Sequence, residues 1–115
     1  MICFVADRED HSSVESRQAV MQVIMNRTYH SDKFPNTVTE VLYAPKQFTV
    51  MRGYYVNYVP SSKALEALDR VLSGDDVFGG ECALYFSASW VKPANIAKGL
   101  YLVAEIGGSK FYGKD

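Results

Sequence analysis

Apolar residues recur at three- and four-residue steps in two stretches of the chain. In the first, Ala19, Val20, Val23, Ile24 and Arg27 follow a helical stripe, which Val14, Met21 and Met25 widen. Ser12 and Glu15, three positions apart, make a capping box ahead of it. A face this broad predicts a central, largely buried helix ending near 27–29. In the second stretch, Ala64, Leu65, Leu68, Val71 and Leu72 repeat the pattern after a cap at Ser61 or Ser62, and Gly74 supplies the stop. Between them Thr37 and Glu40 open a short helix to about Tyr43, which Pro45 ends.

The rest of the chain lacks a helical period. Residues 2–8 are too short to separate helix from strand, and 7–12 read as a charged loop. The aromatic stretch within 46–60 has no clean period and reads as loop or irregular strand. Ala83 to Phe86 reads as a strand. Segments 100–106 and 110–112 read as two more, joined at Gly107-Gly108 as a hairpin. Helices first and strands last predict an α+β fold.

The 115 residues suit one domain spanning 1–115, and 48% apolar with 22% charged residues is an ordinary globular composition. A net charge of −1 argues against a general polyanion binder, so no nucleic-acid partner is expected. No apolar run is long enough to cross a bilayer. Cys3 and Cys82 form either one disulfide or two buried thiols, with thiols favoured because the chain is not cysteine-dense. The first five residues lack the basic start and apolar core of a signal peptide.

Four blocks in order carry a family resemblance: Glu9 followed by Ser16 through Arg27; Phe34-Pro35-Asn36-Thr37-Val38-Thr39-Glu40-Val41-Leu42-Tyr43 with Pro45-Lys46-Gln47-Phe48-Thr49; Ala83-Leu84-Tyr85-Phe86; and Ile106-Gly107 with Phe111-Tyr112. Through them the chain resembles the cell-wall hydrolase family typified by spore cortex-lytic enzymes. The resemblance covers nearly the whole chain. It implies a lysozyme-like α+β domain, helices around a central buried helix with a small antiparallel sheet from the C-terminal third. It also implies action on the glycan strands of peptidoglycan by lytic transglycosylases or muramidases with one essential glutamate. In the family pattern that glutamate is followed by a small residue, a basic residue and a glycine. Here Asp10-His11-Ser12 follow Glu9, and the connection to the helix is one residue shorter; without a gap Arg8 would take the glutamate's position.

Glycosidic cleavage needs a carboxylic acid held protonated near neutral pH. Glu9 is the candidate, its pKa to be raised by burial or by the nearby charges of Asp7 and Asp10, with Arg8 opposing. No second acid stands in an obvious catalytic block. A single glutamate suffices for transglycosylation, because the substrate's own 6-hydroxyl replaces activated water. Candidate substrate-binding residues are Gln47, Phe48 and Thr49, then Tyr85 and Trp90. Phe48 is equally a core residue, and a strand tyrosine such as Tyr85 is more often structural. Tyr54, Tyr55 and Tyr58 are stacking or core residues. Asn26 and Arg27 read as structural, one a C-terminal cap and the other a buried polar contact. His11 and His30 without further ligands make a poor metal site, so neither metal nor cofactor is expected.

The expected function is therefore cleavage between N-acetylmuramic acid and N-acetylglucosamine by a single-glutamate lytic transglycosylase. The alternatives are a hydrolytic muramidase on the same scaffold and a non-catalytic cell-wall binding module. A metal-dependent nuclease and an amidase have weaker support. The expected partner is the peptidoglycan glycan strand, and the expected state a monomer acting at the bacterial wall. Phage-type release on lysis, or excision from an exported enzyme, would bring it there.

Overall fold

A computed structural model describes residues 1–9, 13–44, 47–54 and 57–114, without the side chains of Thr49 and Pro93. Its elements run α1 (Ile2–Glu9), α2 (Val14–Tyr29), α3 (Val38–Tyr43), a 3₁₀ helix at Thr49–Gly53, α4 (Ser62–Leu72), β1 (Tyr85–Ala88), a 3₁₀ turn at Pro93–Asn95, β2 (Leu100–Ile106) and β3 (Ser109–Lys114). The expected α+β fold, with its sheet in the C-terminal third, is present.

Helix α2 is the spine. Ser13 caps it: its side chain accepts from the Ser16 backbone, while the Ser16 hydroxyl accepts from the Ser13 backbone. The expected cap at Ser12 is thus displaced to Ser13 with Ser16 as its partner; Ser12, Asp10 and His11 lie outside the described residues. Ala19, Val20, Met21, Val23 and Ile24 are fully buried, and so are several polar residues of the same helix. Those polar groups find partners. The Gln22 amide donates to Asp76 at 2.6 Å, and its carbonyl accepts from the Val77 backbone at 2.9 Å. Such pairing lets α2 be covered on nearly every side without stranding hydrogen-bonding groups.

Two sequence expectations change here. Segment 7–9 is not loop but the last turn of α1, and the aromatic stretch contributes a 3₁₀ helix at Thr49–Gly53. That 3₁₀ helix packs against α1. Tyr54 and Tyr58 meet the Phe4 ring edge-on at 5.3 and 5.1 Å, which makes them core residues. Tyr55 and Pro45 lie outside the described residues. Ser61 caps α4, accepting from the Ala64 backbone, and Thr37 caps α3 from Glu40 in the same way.

The sheet order is β1-β3-β2, antiparallel throughout. The first strand begins at Tyr85, two residues later than expected, and the last extends over Ser109–Lys114. Gly107 has φ 61°, the positive value that the first position of a tight two-residue hairpin requires. Phe86 and Phe111 stack at 5.7 Å on the inner face, with Phe78 5.4 Å from Phe111. At Gly113 the Tyr101 ring lies across the strand: a Cβ there would sit 2.4 Å from it, so only glycine leaves room. Cys3 and Cys82 are both free thiols.

Candidate active site

Glu9 ends α1, and its position is fixed two residues earlier. Asp7 accepts from Arg17 Nε at 2.8 Å, from the Ser61 hydroxyl at 2.6 Å, from the Ser61 backbone at 3.1 Å, and from the Tyr58 hydroxyl. Arg17 also donates to the Ser13 carbonyl at 3.1 Å. One carboxylate thereby joins α1 to the first turns of α2 and to the cap of α4. Burial alone pushes the Asp7 carboxyl up, but the donors of Ser61, Tyr58 and Arg17 outweigh it and hold the group at about 2. Asp7 is therefore ionised and fully committed, which removes it as a second catalytic acid.

Glu9 has the opposite environment. It is half-buried, and no hydrogen bond or ion pair to its carboxylate forms among the described residues. Burial raises its pKa. The negative end of the α1 dipole acts in the same direction. Of the two expected causes, burial is the one that acts: Asp7 spends its charge on Arg17, and desolvation lifts Glu9. Two carboxylates two residues apart thus have their pKa values moved in opposite directions, a pattern that separates acid from spectator.

The Asp7 junction makes stability pH-dependent. A carboxyl held at about 2 when folded, against an ordinary value of 3.8, contributes stability above pH ~4 that is lost as pH falls toward 2. The contribution is on the order of 2–3 kcal/mol. Asp7→Asn should abolish this acid-range slope in thermal unfolding curves recorded from pH 5 to 2. An unchanged slope would show that the junction is not what acid breaks.

Three of the other candidates, Gln47, Phe48 and Tyr85, gather around Arg27, which is 4% exposed. Its Nε donates to the Leu84 carbonyl at 2.6 Å, and Nη1 donates to Gln47 Oε1 at 3.1 Å. The guanidinium lies 4.8 Å from the Phe34 ring centre, 5.1 Å from Phe48 and 5.5 Å from Tyr85. Burial draws its pKa down to about 10, so it remains cationic at neutral pH. A guanidinium has no acceptor, so the Gln47 amide must turn its oxygen inward and its NH₂ outward. Gln47 itself is exposed, which leaves that NH₂ available to a ligand.

Arg27 is the buried polar contact that the sequence predicted, and it is also what joins Gln47, Phe48 and Tyr85. Phe48 is 4% exposed and packs 6.2 Å from Phe86. It takes the core alternative and offers no open wall to a sugar. Tyr85 is half-buried, 5.8 Å from Phe34. The side chain of Thr49 lies outside the described part of the chain. Trp90 is 84% exposed in the turn after β1, outside the Arg27 cluster. Asn26 does not cap α2 with its side chain; it donates to the Ala83 carbonyl at 3.0 Å and ties α2 to the approach to β1. Arg17 and Ser61 carry no reactive signal in the sequence, and their part in placing Glu9 emerges only from the packing. Among the described residues no group of three or more His, Cys, Asp and Glu side chains is placed to hold a metal, and no helix is long and apolar enough to cross a membrane.

The model of the cell wall hydrolase family matches residues 11–112. A curated spore cortex-lytic enzyme from Oceanobacillus iheyensis is 38% identical over 72 residues, covering 63% of this chain and 25% of that protein. The chain thus spans about a quarter of the curated relative's length. The crystal structure of the catalytic domain of the Bacillus cereus SleB protein matches with a TM-score of 0.78 and 26% identity, over 97% of this chain and 86% of that one. The catalytic domain of the germination-specific lytic transglycosylase SleB from Bacillus anthracis matches with a TM-score of 0.74 and 22% identity, over 97% and 90% of the two chains. This last likeness shows the fold alone. The family match begins two residues past Glu9, so the role of Glu9 rests on this chain's own geometry.

Proposed function

The chain belongs to the cell wall hydrolase family, and on that footing we propose that it cleaves peptidoglycan glycan strands between N-acetylmuramic acid and N-acetylglucosamine as a single-glutamate lytic transglycosylase. The domain 1–115 is the catalytic unit in this reading, and it works as a monomer at the wall. The observation that carries it is the pair of opposed carboxyls: Glu9 lifted by burial with no described partner, and Asp7 held ionised by Ser61, Tyr58 and Arg17.

The protonated Glu9 donates to the glycosidic oxygen as its bond to the muramic C1 breaks. The N-acetylglucosamine side leaves with a restored hydroxyl. The 6-hydroxyl of the same muramic residue then closes onto C1, and its proton passes to the Glu9 carboxylate. The acid is regenerated, an anhydro ring forms, and no water is consumed. Gln47, oriented by Arg27, donates its NH₂ to an acyl or hydroxyl oxygen of the strand, and Tyr85 borders the same region. Trp90 offers an open ring to a more distant sugar.

Several of the described acids are already engaged, which supports this route over one that needs a second acid to activate water. Among the described acids, Asp76 is engaged by Gln22 and the backbone of Phe78 and Gly80, Glu66 by Arg70, and Glu40 by Thr37. Mass spectrometry of fragments released from purified wall tests the reading. The expected product ends in anhydro-muramic acid, lighter than a reducing end by one water, and takes up no label from heavy-oxygen water. A labelled reducing end would assign the muramidase mechanism. Wall binding without fragment release would assign a non-catalytic module.

A further inference from the structure

The far end of α2 carries a pocket of about 610 Å³ that is lined by neither Glu9 nor Gln47. Its size is that of a small-molecule site. The rings of Tyr29 and Tyr101 stand on its walls, 63% and 38% exposed. Asp32, Lys33 and Lys114 also line it. None of these three forms an ion pair among the described residues, where the pairs are Arg17–Asp7 and Arg70–Glu66. The wall is set in advance, because Tyr101 is seated in the gap that Gly113 leaves. Its Leu84 floor is tied by the carbonyl that accepts from Arg27.

We propose that this pocket is a second contact site for the amino-sugar strand, remote from the reacting bond. Two accessible aromatic faces suit the apolar face of a pyranose ring, and the unpaired lysines suit the carboxylates that hang from muramic residues. The proposal rests on the glycan-cleaving reading above and adds to it a requirement for length. From Arg17, which anchors the Glu9 end, to Tyr29 is twelve residues of helix, or about 18 Å. Only a strand several sugars long reaches both places. Short fragments occupy one at a time, while intact wall engages both and is held more tightly through effective concentration.

The test is a titration of the unmodified, isotope-labelled protein with a β-1,4-linked tetramer of N-acetylglucosamine, read by backbone amide shifts. Two sets of shifts are expected, one around Glu9 and one around Tyr29, Lys33, Leu84 and Tyr101, each with its own Kd. Tyr29→Ala, at an exposed position, should weaken the second set about fivefold and leave the first in place. Lys114→Gln is a second variant: the neutral tetramer offers it no carboxylate, so both sets of shifts should stay in place, while co-sedimentation with purified wall should fall for both variants. Shifts confined to the surroundings of Glu9 would overturn the second site and leave the proposed activity standing. No shifts anywhere, with no binding to wall, would overturn both.

Discussion

Replacing Glu9 with Gln is expected to lower fragment release from purified wall about 100- to 10,000-fold, the usual weight of a positioned general acid. The amide keeps the shape of the side chain but has no proton of suitable acidity. The fold should survive, and the sign of the stability change follows from the titration. Because burial raises the folded Glu9 pKa above its ordinary 4.5, the group favours the folded state at low pH, and that contribution is lost as pH rises through the raised value. At neutral pH the ionised carboxylate carries an uncompensated desolvation cost, which Gln removes. Thermal unfolding at pH 7 should therefore show Glu9→Gln as stable as the parent or slightly more so. Activity of the parent should fall on the alkaline side as the acid deprotonates. A variant that loses its fold along with its activity, or one that keeps its activity, would remove Glu9 from the acid role.

Arg27→Ala is expected to give the largest loss of stability. It strands the buried Leu84 carbonyl, frees Gln47 and leaves a void among Phe34, Phe48 and Tyr85. An unsatisfied buried acceptor costs about 1–3 kcal/mol, and the void adds to it, for a total of about 3 kcal/mol. In a chain of this size that lowers Tm by about 10–20 °C. Arg27→Lys should recover part of this, since an ammonium replaces the charge over the rings but not the planar fork that reaches Leu84 and Gln47 together. Gln47→Glu separates orientation from donation. It keeps an acceptor for Arg27, so stability should hold, yet it removes the outward donor, so KM should rise with a smaller change in kcat. A Gln47→Glu enzyme with unaltered KM would show that the amide does not meet substrate.

What was legible in the chain was what local chemistry dictates. The stripe of α2, the amphipathic α4, the caps at Thr37 and Ser61 and the Gly107-Gly108 hairpin are each written in a few neighbouring residues. The last turn of α1 was hidden because Asp7, Arg8 and Glu9 look like solvated loop. Asp7 is helical there through partners from 10 to 54 positions away. The 3₁₀ helix at Thr49–Gly53 was hidden because its aromatic surroundings pack against α1 without a period of their own. Glu9 and Gln47 were identifiable as candidates, and burial was one of two causes open for Glu9, but the chain alone showed neither which cause acts nor what aims Gln47. Burial rather than neighbouring charge lifts Glu9, and Arg27, which looked merely structural, is what aims Gln47. Phe48 reads in the sequence equally as an apolar wall and as core, and it is core.

The clamp of Asp7 onto Arg17 and Ser61 bears on how this scaffold tolerates change. Glu9 takes its coordinates from a tether laid before it in the chain, rather than from the connector that follows. Trimming or lengthening the stretch between α1 and α2 should then leave Glu9 in register.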